Sequence, residues 1–148
     1  MKLKFIVFIL FFALQSSFAQ KKQMDKANTI FVQLNGIKQQ TGQVMLSLFN
    51  KDEGFPTHPE KAFRWSKAKV TSSSLIISFD GLPPGAYAIA VVHDENSNDV
   101  MDRNWLGFPE EPYGISNNAT GTFSPPKFEE AKFTVTGKRD TIKIEMQP

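Results

Sequence analysis

The segment Ala86–His93 constrains the fold most, because it is apolar on both faces. Successive strand side chains point to opposite faces, so Tyr87, Ile89 and Val91 lie on one side and Ala86, Ala88 and Ala90 on the other. A strand covered on both sides is a central strand. The alanine face is shallow, so something must pack closely against it. The long loop that follows is the expected cover. Around this segment, apolar residues alternate with a period of two. Ile30, Val32 and Leu34 form one set, Val44, Leu46 and Leu48 a second, Leu75, Ile77 and Phe79 a third, and Ile142, Ile144 and Met146 a fourth. Two weaker strands are expected at 67–71 and at 128–135, with Phe133 and Val135 inward.

Turn residues divide the chain between these runs. Asn35-Gly36 and Thr41-Gly42 bracket residues 36–41 as a short hairpin loop. Pro83-Pro84-Gly85-Ala86 suits a type II turn, with Gly85 supplying the positive φ. Pro59 opens a single helical turn. Tyr87, just after Asp80–Gly85, has the setting of the tyrosine that ties a sandwich corner back to upstream backbone; an ordinary core tyrosine is the alternative. The expected fold class is therefore all-β: a seven-stranded β-sandwich, immunoglobulin-like by its tyrosine corner or prealbumin-like in that Phe79–Tyr87 resembles the turn-and-strand signature of prealbumin-like modules, with a long loop at about residues 94–120.

The N-terminus reads as a secretory signal peptide over residues 1–19. Lys2 and Lys4 give a positive start, residues 5–14 are unbroken apolar, and Ser17 and Ala19 stand at −3 and −1 of a cleavage site before Gln20. The apolar run is shorter than the roughly 20 residues that span a bilayer. No membrane span is expected after cleavage, and the protein is expected in the periplasm or secreted outside the cell. Residues 20–27 are polar and read as a flexible tail, leaving residues 28–148 as one domain.

Composition narrows the function classes. The chain has no cysteine, which removes disulfides, thiolate metal sites and a cysteine nucleophile. The 17 Lys and Arg, less Lys2 and Lys4, leave 15 against 15 Asp and Glu. A neutral mature surface argues against nucleic acid as partner.

Three constellations carry candidate chemistry. Counting Asp94 as position 1, oxygen-bearing side chains fall at 1, 3, 5 and 9 with Asp94, Asn96, Asn98 and Asp102, and the Val100 carbonyl falls at 7. That is the ligand order of a calcium loop. Position 6 is Asp99 rather than glycine, and position 12 is Trp105 rather than a bidentate glutamate; Glu110 or Glu111 would have to substitute. The alternative is a loop capped by its own Asx turns. His93 beside Asp94 opens a second reading, an extracytoplasmic hydrolase using His93 with Asp94 and Asp102. Adjacent strand residues point apart, however, and no nucleophile elbow exists, so an edge histidine of the core is the simpler reading. The third constellation is aromatic. Trp105, Phe108 and Tyr113, with Phe123 and Phe128, either form a platform for a small molecule, glycan or protein, or cover the alanine face. The cluster Phe55, Phe63 and Trp65 adds to either role. A non-catalytic binding or accessory module is the expected function.

The stretches Gly42–Asn50, Gly54–Pro56, Leu82–Tyr87, His93–Asn96, Asn98, Asp102, Leu106-Gly107, Tyr113–Ala119 and Phe123–Phe128 resemble, in order and spacing, the bacterial domain-of-unknown-function family 2141. The resemblance implies an exported sandwich and brings no established activity. In one respect the chain departs from the family, whose acidic loop usually has glycines where this chain has Ser97 and Asp99.

Overall fold

The computed structural model describes residues 28–121 and 124–148. The expected signal peptide at 1–19, the expected tail at 20–27 and Phe123 lie outside the described residues. The elements run β1 (Ile30–Asn35), β2 (Gln43–Phe49), a short 3-10 turn (Pro59–Lys61), β3 (Arg64–Lys69), β4 (Leu75–Phe79), β5 (Gly85–Asp94), β6 (Tyr113–Ile115), a second 3-10 turn (Ser116–Asn118), a one-turn helix α1 (Phe128–Ala131), β7 (Phe133–Val135) and β8 (Asp140–Glu145).

These strands make two sheets. The smaller has the order β4-β1-β8, with β1 antiparallel to β4 and parallel to β8. The larger has the order β3-β2-β5-β6, and β7 shares the outer edge of β5 with β6. β7 pairs with Gly85–Tyr87, and β6 pairs with Ala90–Val92. The alternating residues of β1 (Ile30, Val32, Leu34), β2 (Val44, Leu46, Leu48) and β5 (Tyr87, Ile89, Val91) meet in one core between the sheets, together with Phe79, Val135 and Ile144.

Among the described residues, eight strands form where seven are expected. The extra one, β6, lies inside the expected 94–120 loop, which shortens to 95–112. Three residues are too few to show a period, and β6 is held by backbone pairing to β5 and by a bridge from Tyr113 to Gln147. Residues 36–41 are not a hairpin loop. β1 and β2 belong to different sheets, and the connection crosses from one to the other. Buried Ile37 fills the core on the way, and its amide donates to the Ser73 carbonyl. The type II turn at Gly85 is also corrected: Gly85 opens β5, and the left-handed φ of 63° falls on Gly81. The stretch 128–135 divides into α1 and β7.

Other expectations hold. Pro59 starts its helical turn. The Tyr87 hydroxyl donates to the Pro83 carbonyl at 2.9 Å, four residues upstream, as a corner tyrosine does. Burial raises the Tyr87 pKa, against a smaller opposing effect of Arg64.

The alanine face of β5 is covered, in part by Tyr113, Ile115 and Ala119 from the expected 94–120 loop and in part by residues outside it. Ala88 and Ala90 pack with Phe49, Ile115, Phe128 and Ala131 in a second cluster, joined by Phe55 and Tyr113. The Phe55 ring sits edge-on to Phe49 at 5.4 Å and to Phe128 at 5.8 Å. Buried Ser116 fixes α1 over the sheet. Its hydroxyl donates to the Ala131 carbonyl at 2.6 Å and accepts from the Ile89 amide at 2.9 Å.

Candidate functional site

The loop after β5 is built on one buried carboxylate. Asp94 is fully enclosed where the strand ends. Its Oδ1 accepts the Asn98 amide at 3.0 Å. Its Oδ2 accepts the Asp99 amide at 2.9 Å and the Gln43 side-chain amide at 2.8 Å. Burial pushes this carboxyl up. The hydrogen bonds from Gln43 and from the Asp99, Asn98 and Ser97 amides outweigh that and hold its pKa below the ordinary carboxylate value.

The remaining oxygen-bearing residues bond to one another. Asn96 and Asn98 donate their side-chain amides to the two oxygens of Asp102, at 2.6 Å and 3.0 Å. The Asn96 and Asn98 side-chain oxygens accept the backbone amides two residues on, at Asn98 and Val100. These are Asx turns. The fold thus gathers Asp94, Asn96, Asn98 and Asp102 into one turn, and each side chain is engaged within it. Val100 adds an exposed apolar side chain. Glu111, the candidate substitute for a bidentate ligand, is buried and clamps the base of the loop. It accepts the Glu95 amide at 3.0 Å and the Asp102 amide at 3.1 Å.

Ser97 and Asp99 have φ of 61° and 69°. Both therefore sit in the left-handed region, where glycine is the least costly residue. The two positions where this chain departs from the glycine pattern of the family it resembles are thus ones at which glycine has a conformational reason. Asp99 has a compensating role. Lys67 and then Gln43 bond its carboxylate, which lowers its pKa and ties the loop to β2 and β3.

His93 continues the inward face of Tyr87, Ile89 and Val91 and is 0% exposed. Its Nε2 lies 2.9 Å from the Thr41 carbonyl, which can only accept, so Nε2 carries a proton. Nδ1 lacks a hydrogen-bond partner and stands 3.8 Å from the Glu95 carboxylate. His93 and Asp94 are enclosed on opposite faces of β5, each bonded to the scaffold. The structure does not bring them together as a dyad.

The distal part of the loop is different. Arg103 and Pro109 form a β-bridge, the Asn104 amide donates to the Phe108 carbonyl at 2.9 Å, and the Gly107 amide donates to the Asn104 carbonyl at 2.8 Å. Inside the turn, Asn104 Oδ1 accepts the amides of Leu106 and Phe108, and Arg103 donates to the Gly107 carbonyl. A tightly bonded turn therefore presents Trp105 at 90% exposure, Leu106 at 58% and Phe108 at 59%. Trp105 and Phe108 do not cover the alanine face; Phe49, Phe55 and Phe128 occupy it instead. Tyr113 does not join the turn. It is half-buried in β6 against the second cluster. Leu106 and Asn104, which complete the turn, are not among the candidates that the sequence singles out. Their signal was Asn104 three residues before Gly107, a capped turn between apolar residues.

A shallow cleft of about 520 Å³, lined by Lys51, Asp52, Phe55, Lys127, Phe128 and Glu129, shares no residue with this loop. Among the described residues, no group of three or more His, Cys, Asp or Glu side chains is arranged to hold a metal ion. None of the helices described is long and apolar enough to cross a membrane.

No curated protein and no solved structure matches the chain. A family model does, over residues 32–143, and its description is "Uncharacterized protein conserved in bacteria (DUF2141)". The match takes in both sheets, the Asp94 loop and the apolar turn, and on it this chain belongs to the bacterial family DUF2141.

Proposed function

We propose that the chain is an exported, non-catalytic binding module of the periplasm or cell exterior, and that the turn Arg103–Pro109 is its contact element. The observation that carries this reading is the exposure of Trp105, Leu106 and Phe108 together on one hydrogen-bonded turn. Clustered apolar side chains in water are characteristic of interaction sites. A turn already fixed by its own bonds also has little freedom left to lose when it docks. The immunoglobulin-like or prealbumin-like form of the sandwich belongs to the same reading. The Tyr87 corner and the parallel pairing of β1 with β8 support it.

If the turn is free surface, Trp105→Ala should change unfolding stability by less than about 0.5 kcal/mol, against roughly 3–5 for a large core aromatic. Urea unfolding reads the difference. The function itself is tested in the exporting cell with a photoreactive residue at position 106 and a control at the exposed Ile76. An adduct at 106 that disappears when Trp105 and Phe108 become alanine supports the module. Equal labelling at the two positions sinks it.

A second reading adds calcium to Asp94, Asn96, Asn98, Val100 and Asp102. It is favoured by the gathering of the four side chains into one turn, and it requires Asn96 and Asn98 to release Asp102 and turn their oxygens inward. A weak site, with Kd on the order of 10⁻³ M, would raise the melting temperature by a few degrees at ~10 mM calcium. Calorimetry in calcium against chelator decides. An unchanged melting temperature leaves the loop held by its own side chains.

A further inference from the structure

The apolar turn does not stand on a neutral base. Residues 94–111 contain Asp94, Glu95, Asp99, Asp102, Glu110 and Glu111 against a single basic residue, Arg103. Asp94 and Glu111 are buried, and Lys67 partners Asp99. Glu95, Asp102 and Glu110 remain at or near the surface beside the stem of the turn. The stem itself places Glu110 next to Asp102, through the bond from the Glu110 amide to the Asp102 carbonyl at 2.9 Å.

This arrangement discriminates between occupants. Segments that insert into lipid combine apolar residues with Lys and Arg, because bacterial-type membrane surfaces are commonly anionic. Here the apolar tip carries the opposite charge at its base, so an anionic bilayer repels it as it approaches. A convex tip cannot enclose a small molecule; it must itself be enclosed. We infer that the turn docks into a protein partner offering an apolar pocket or strip bordered by Lys or Arg side chains. This rests on the reading of 103–109 as the contact element and adds the chemistry of what it contacts. Apolar contact by Trp105, Leu106 and Phe108 supplies the affinity, and the carboxylates supply orientation and the rate of encounter.

The test uses the mature protein with Trp65→Phe, so that emission reports Trp105 alone. The probes are a synthetic amphipathic helix of Leu and Lys, the same helix with Glu for Lys, and phosphatidylcholine vesicles with and without phosphatidylglycerol. The expected result is a blue shift with the Leu–Lys helix. Its affinity should fall about tenfold when salt shrinks the Debye length to a few Å, and several-fold with Glu110→Lys. Equal or tighter binding of the Leu–Glu helix or of either vesicle overturns the inference and leaves the contact element standing. A blue shift produced by raising the protein concentration alone makes a second copy the occupant and likewise overturns it. No shift with any probe overturns both.

Discussion

Gly42→Ala should be strongly damaging for a single added methyl. Gly42 has a φ of 67°, and an added Cβ would lie 2.1 Å from the Asp94 carbonyl oxygen and 2.7 Å from the Glu95 Cα. Both obstacles are backbone, so no side chain can swing aside. The left-handed conformation costs roughly 1–2 kcal/mol for an L-residue, and forcing apart packed backbone adds roughly 1–3 kcal/mol or more. The expected loss is about 2–5 kcal/mol, read from the urea midpoint. Gly36→Ala separates the two contributions. Gly36 has a φ of 77° but its nearest obstacle is at 3.6 Å, so only the conformational part, about 1–2 kcal/mol, should appear. Equal losses at the two positions would refute the close approach at Gly42.

Asp94→Ala should have the next largest effect, about 3 kcal/mol, because it strands the Asp99 amide and takes one of two acceptors from both the Asn98 amide and the Gln43 side chain at the root of the loop. Hydrogen exchange should show the Asp99 amide losing protection first. The effect depends on pH with a definite sign. The folded-state pKa of Asp94 is depressed. Its contribution is therefore complete above the unfolded value of about 3.9 and disappears as pH falls through the folded value. The difference between wild type and Asp94→Ala should be flat from neutral pH down to about 5 and shrink below about 4. A difference that grew on acidification would contradict the assignment of Asp94 as the ionised anchor.

Much of this architecture is legible in the amino acids. Period-two runs locate β1, β2, β4, β5 and β8, since each has one face in the core, and the two-faced run Ala86–His93 identifies the centre of the larger sheet. What the runs do not carry is partnership. A short connection such as 36–41 joins hairpin strands or crosses between sheets with the same turn residues, and only the buried Ile37 marks the crossing. β6 and α1 are too short for a period to develop. The candidate site divides in the same way. The alternating oxygens of 94–102 announce a loop organised by Asp and Asn, while the donors that satisfy Asp94 include Gln43, 51 positions away. The direction of Trp105 is the least legible feature. An aromatic on a long loop can fold under or face out, and the choice was made by Phe49, Phe55 and Phe128, which already fill the space above the alanines.

The parallel register of β1 on β8, from Ile30 beside Asp140 to Asn35 beside Glu145, has a consequence for biogenesis. The middle strand of the smaller sheet obtains one of its two neighbours from residues synthesised 110 positions later, as the pair Ile30 and Asp140 shows. Until those arrive, β1 has an open edge on that side and the core lacks Ile144. Such distant pairing is slow to form. Under the export reading, a chain threading a translocation channel N-terminus first would keep this sheet unfinished until β8 had cleared. Lateness of closure would then serve transport, holding the polypeptide in a threadable form on one side of the membrane and allowing it to lock on the other.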